Sequence, residues 1–194
     1  MLIVYSFTGV AVSVRRWFEV SPEAVMEHGA RIELALLAPQ PHRGTESAAQ
    51  QTVVDQPFWR ADLFNRLDRP SDSFSAAHFH PRFDGVEPSD RVWSAALTAD
   101  PWTWLTQQLE NVEKLLIGAG LDPRIAEADA DDLRAFAPRI VTSAQQFSPE
   151  HPLSRDEDFR LTRDASERVR RMLALIPDPT PAVLDHLRPW LERA

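Results

Sequence analysis

Phe58-Trp59-Arg60-Ala61-Asp62-Leu63-Phe64 decides the fold class. It lies inside a stretch that reads as extended from Thr52 to Leu67. Side chains of a strand alternate between its two faces, so Trp59, Ala61 and Leu63 share one face. Phe58, Arg60, Asp62 and Phe64 share the other. One face is apolar and the other carries a charged pair between aromatics, the pattern of a strand buried on at least one side.

The same period of two recurs upstream. Residues 2–7 and 10–20 read as strands, with Val10, Val12 and Val14 alternating with smaller residues and Gly9 as the turn. Ser21-Pro22-Glu23 reads as a short helix start, ending near Gly29. Arg31 to Ala38 is the next strand, with Ile32, Leu34 and Leu36 on one side. Residues 39–51 lose all periodicity and form a long loop holding His42 and Glu46. A further strand is expected from Phe74 to Phe83, after a turn at Pro70 to Ser73.

Beyond about residue 97 the pattern becomes helical. Asp100-Pro101 is a capped start, and Leu105, Leu109, Val112 and Leu116 follow at three- and four-residue spacing. A second helix is expected from Asp129, with Pro138 kinking or splitting it. Capped starts at Ser154 and Thr180 predict two more helices. The expected fold class is therefore α+β in a single domain, residues 1–194. A mainly antiparallel sheet fills roughly 2–95, and a helical layer fills roughly 98–194.

Composition narrows the chemistry. The chain of 194 residues carries a formal net charge of -8. Both halves are acidic, so no cationic footprint for nucleic acid is present, and anionic membrane surfaces are disfavoured. With no cysteine, thiolate catalysis, disulfides and iron–sulfur clusters are excluded. The apolar start lacks the cationic residues of a signal peptide, and no apolar run is long enough for a membrane helix, so a cytoplasmic protein is expected. Abundant arginine beside a single lysine, Lys114, suits a GC-rich bacterial genome. With only 6 glycines and no G-x-G-x-x-G, P-loop, G-x-S-x-G or H-E-x-x-H pattern, the common nucleotide, serine-hydrolase and zinc-protease signatures are absent.

The densest cluster of chemically capable residues is His78-Phe79-His80-Pro81-Arg82-Phe83-Asp84. On a strand, His78 and His80 project to the same face, and two imidazoles so spaced can share one metal ion. Asp84 is the candidate carboxylate ligand. Two histidines and a carboxylate suit iron, manganese, nickel or zinc. The spacing resembles the first metal motif of cupins over these residues alone. The later-strand histidine of that motif has no counterpart, since His151 comes next and lies in helical context.

Arg60 and Asp62 are candidate substrate-binding residues, as the polar end of a pocket or as a structural ion pair. Two functions remain in view. One is a small metal-dependent enzyme acting on a small anionic molecule through His78, His80 and Asp84, with Arg60 holding the anion. The other is a non-catalytic, acidic interaction or inhibitor-type protein that meets a protein partner through Asp122, Glu127, Asp129, Asp131 and Asp132.

Overall fold

The computed structural model describes residues 2–20, 26–40 and 52–148, together with scattered positions between 160 and 184. It has the α+β arrangement expected. Strands β1 (Leu2–Ser6), β2 (Val10–Val20), β3 (Met26–Pro39), β4 (Thr52–Arg66) and β5 (His78–His80) form one sheet in sequence order. Each neighbouring pair is antiparallel. A small hairpin follows, β6 (Phe83–Asp84) with β7 (Glu87–Pro88). The helices are α1 (Ala95–Ala99), α2 (Pro101–Leu109), α3 (Val112–Gly118) and α4 (Ala130–Gln145), with a 3-10 turn at Pro123–Ala126.

The helices cover the sheet face that the sequence marks as apolar. Val10, Val12 and Val14 of β2, Ile32 and Leu34 of β3, and Trp59, Ala61 and Leu63 of β4 are fully buried there. They pack with Leu97, Leu105, Leu109, Leu116, Leu133 and Ile140 in one core. Burying side chains of this size contributes roughly 1.5–3 kcal/mol each. Trp104 stacks on Trp59 with ring centroids 5.9 Å apart. Trp102, two residues away, cannot share that direction and packs against Phe74 instead. Ser94 and Asp100 cap α1 and α2 through the backbone N–H of Leu97 and Thr103.

Four local expectations are corrected. The helix expected to end near Gly29 does not include Met26 to Gly29, which already belong to β3; residues 21–25 lie outside the described part. Gly29 is a close approach within the strand rather than a helix cap. A Cβ on it would stand 2.2 Å from the Leu63 carbonyl oxygen. The strand expected over 74–83 is only His78–His80, because turns occupy 74–77 and Phe74 adopts φ 44. Pro81 has no N–H to extend the ladder. The helical run from Pro101 breaks between Leu109 and Val112 into α2 and α3. Of the two outcomes expected at Pro138, splitting is not seen, since α4 runs through it. It sits on the exposed side, where water can satisfy the carbonyl its missing N–H would have met. The helices expected from Ser154 and Thr180, apart from isolated positions, and the loop with His42 and Glu46 lie outside the described residues.

Asp129 is not part of an acidic surface. It is wholly buried, and its carboxylate accepts from the backbone N–H of Thr8 (2.8 Å), Gly9 (2.7 Å) and Val10 (3.0 Å). Three amides of the β1–β2 turn converge on one side chain at the start of α4, fastening sheet to helices. Tyr5 supports the same joint by a hydroxyl contact with Ser143 of α4 at 2.6 Å. Asp129→Ala leaves those amides without an acceptor and should destabilise the protein by about 3 kcal/mol or more in urea unfolding. Asp129→Asn, which keeps one acceptor oxygen, should cost less. A loss below ~1 kcal/mol for the alanine variant would show that the turn does not depend on this carboxylate.

Candidate metal centre

The sheet face turned away from the core helices carries the charges. Pairing sets them in rows across the strands. Arg15 of β2 stands opposite Arg31 of β3, Arg31 opposite Asp62 of β4, and Asp62 opposite His78 of β5. In the next row Glu33 faces Arg60, and Arg60 faces His80. Trp17, Gly29 and Phe64 form a third row, and Glu19 and Glu27 a fourth. Among the described residues the segment after β5 folds over this face. Arg91 bonds Glu19 at 2.7 Å and Glu27 at 3.0 Å, and Trp93 lies 5.3 Å from the His78 ring.

Asp62 is the hub. Arg31 donates to both of its oxygens through Nε and Nη2, and its Nη2 also meets Glu19 at 2.7 Å. The Arg31 guanidinium lies 4.3 Å from the Trp17 ring and 5.3 Å from that of Phe64. Arg60 Nε lies 3.1 Å from Asp62 Oδ2. Full burial by itself would raise the Asp62 carboxyl. The Arg31 charge and the Arg31 hydrogen bonds outweigh it, holding the group well below the usual carboxylate range.

The two histidines converge on the same oxygen. His78 Nε2 is 3.4 Å and His80 Nε2 is 3.6 Å from Asp62 Oδ2. Their outer nitrogens are anchored to backbone carbonyls, His78 Nδ1 to Ala76 at 2.8 Å and His80 Nδ1 to Ser89. A carbonyl oxygen only accepts, so each Nδ1 carries a proton and each Nε2 is left turned toward Asp62. Carbonyls that hold metal-binding imidazoles act in this way. The ligand atoms of Asp62, His78 and His80 all lie within 4.8 Å of one another, so this buried group could hold a metal ion. Ligands at ~2.1 Å from one ion stand ~3.0–3.5 Å apart, close to the separations here. Arg60 Nη2 lies 3.0 Å from His80 Nε2, so that lone pair already has a donor. His78 Nε2 is buried with no hydrogen-bond partner among the described residues.

Asp84, the carboxylate ligand expected from sequence, is not in this group. It sits exposed in β6, paired with Glu87, because Pro81 ends the β5 ladder and the chain turns outward into a hairpin. Asp62 supplies the carboxylate instead. The pair expected between Asp62 and Arg60 exists, but Arg31 is the stronger partner. The histidines are buried on the face turned away from the core helices. An open groove of ≈ 290 Å³ is bordered by Arg82, Asp84, Ser89 and Asp90, and Ser89 is the residue whose carbonyl holds His80. Arg31, Arg91, Glu19 and Glu27 were missed as members of the site. Arg31 was the findable one, since it has the opposite parity to Ile32 and Leu34. Among the described residues no helix is long and apolar enough to cross a membrane. Comparison with known protein families, with curated proteins and with solved structures finds no match.

Removing Asp62 strands a buried guanidinium. Asp62→Ala should destabilise the protein by about 3–5 kcal/mol in chemical denaturation, and a change under ~0.5 kcal/mol would contradict the burial described. The pH dependence has a definite sign. The folded carboxyl titrates below its unfolded value of ~3.9, so its stabilisation is complete above that pH and drains away as pH falls through the folded value. Acid unfolding of Asp62→Asn should lose this part of the slope, and an unchanged slope would count against it.

Proposed function

We propose that this protein is a small metal-dependent enzyme acting on a small anionic molecule, with its divalent ion held by Asp62, His78 and His80. The observation that carries the reading is the buried Nε2 of His78, turned toward a carboxylate oxygen with no aligned hydrogen-bond partner among the described residues. A cation between the two atoms would take both as ligands. The second imidazole brings its Nε2 to the same oxygen. Two imidazoles and one carboxylate suit iron, manganese, nickel or zinc and leave coordination positions open. An ion bound there would polarise a substrate oxygen or activate water. The chain's own part is to fix the ligands: Arg31 orients Asp62, while Ala76 and Ser89 orient the rings. Arg60, at the His80 edge, is the side chain suited to hold an anionic group.

A second reading, a non-catalytic interaction or inhibitor-type protein, has one observation in its favour. Val86, Val92 and Trp93 are exposed on the segment that covers the charged face, with Trp93 56% exposed. Large exposed apolar side chains of that kind suit a protein partner.

Metal analysis separates the two. The purified protein, or the stripped protein titrated with zinc or manganese, should bind close to one ion per chain. His78→Ala and His80→Ala should each weaken binding by at least about 100-fold, more than loss of an outer-shell partner would. A chain that takes up no ion above background sinks the enzyme reading and leaves the interaction protein.

A further inference from the structure

The charged face is balanced before any ion arrives. Arg15, Arg31, Arg60, Arg66 and Arg91 stand against Glu19, Glu27, Glu33, Asp62 and Asp68. With the imidazoles neutral, as metal ligands must be, these charges sum to zero. A divalent ion among Asp62, His78 and His80 adds two positive charges where the ligand side chains are almost wholly removed from water. Uncompensated buried charge is strongly unfavourable. The ion also needs the His80 Nε2 lone pair, to which Arg60 Nη2 now lies at 3.0 Å.

The two guanidinium groups at Asp62 differ in how firmly they are held. Arg31 bonds both Asp62 oxygens and Glu19, lies between two aromatic rings, and is 4% exposed. Arg60 is 12% exposed, touches Asp62 through one nitrogen, and its buried Nε has no well-aligned acceptor. When an ion claims His80, Arg60 is the group that yields.

Resting on the reading of the triad as a metal site, we infer that the ion binds together with a small dianionic oxyanion, sulfate- or phosphate-like, which Arg60 holds beside it after leaving His80. The dianion cancels the charge that the metal brings, and the planar guanidinium fork matches two of its oxygens. Arg15 offers a second guanidinium on the same face, with its Nε likewise buried and without an acceptor among the described residues.

The test titrates the metal-stripped full chain with zinc in sodium chloride and in sodium sulfate of matched ionic strength. Zinc should bind about tenfold or more tightly in sulfate, and by linkage sulfate should bind more tightly with zinc present. Arg60→Met should abolish the difference between the salts and, by freeing His80 Nε2, tighten zinc binding in chloride. Equal zinc affinity in the two salts for the wild-type chain overturns the coupling and leaves the metal site standing. No zinc binding in either salt overturns the metal site as well. A full sulfate effect retained in Arg60→Met overturns the role of Arg60. The wild-type comparison decides the coupling even if the variant fails to fold.

Discussion

The bidentate pair between Arg31 and Asp62 is the interaction on which the charged face of this sheet depends. A carboxylate wholly removed from water is tolerable only when its oxygens are matched by donors. Here the match is set by strand register, since Arg31 and Asp62 are direct cross-strand neighbours. A slip of one residue would turn Asp62 into the apolar core and Ala61 onto the charged face. The pair therefore specifies the β3–β4 alignment as firmly as hydrophobic burial does on the other side. Everything else on this face follows from it. Glu19 completes Arg31, Arg91 completes Glu19 and Glu27, and the two histidines meet the one oxygen of Asp62 that faces β5.

The apolar face and the charged face divide the work. Trp59, Leu63 and Ile32 are among the buried side chains that tie the sheet to the helices. Asp129 then fixes the β1–β2 turn to the same helices with hydrogen bonds rather than area. With the sheet fastened from one side, the other side can carry groups that cost stability. Such groups gather where chemistry is done, although structural ion networks also contain them. What distinguishes this cluster is its imidazoles. Both are oriented by carbonyls, and one inner nitrogen has no hydrogen-bond partner among the described residues.

Much of this architecture was legible in the chain. Alternation at Val10, Val12 and Val14 and from Trp59 to Leu63 marked strands, because only a strand puts every second residue on one face. The capped start at Asp100-Pro101 marked the first long helix. Local pattern failed where tertiary contact decides. Gly29 looked like a helix cap, yet its small size serves the approach of the Leu63 carbonyl from the next strand. The site was legible in part. His78 and His80 were recognisable from spacing, since i and i+2 share a face. The third ligand was not, because proximity in sequence favoured Asp84, whereas cross-strand register brings in Asp62. A partner supplied by register cannot be read from a single strand.

The central claim is that His78 and His80 both turn bare Nε2 atoms toward Asp62. Long-range proton–nitrogen NMR of the imidazole rings observes this directly in metal-free protein. Both rings should appear with the proton on Nδ1 and none on Nε2, and one equivalent of zinc should shift both Nε2 signals. Rings protonated at Nε2, or Nε2 signals that zinc leaves unmoved, would contradict the account.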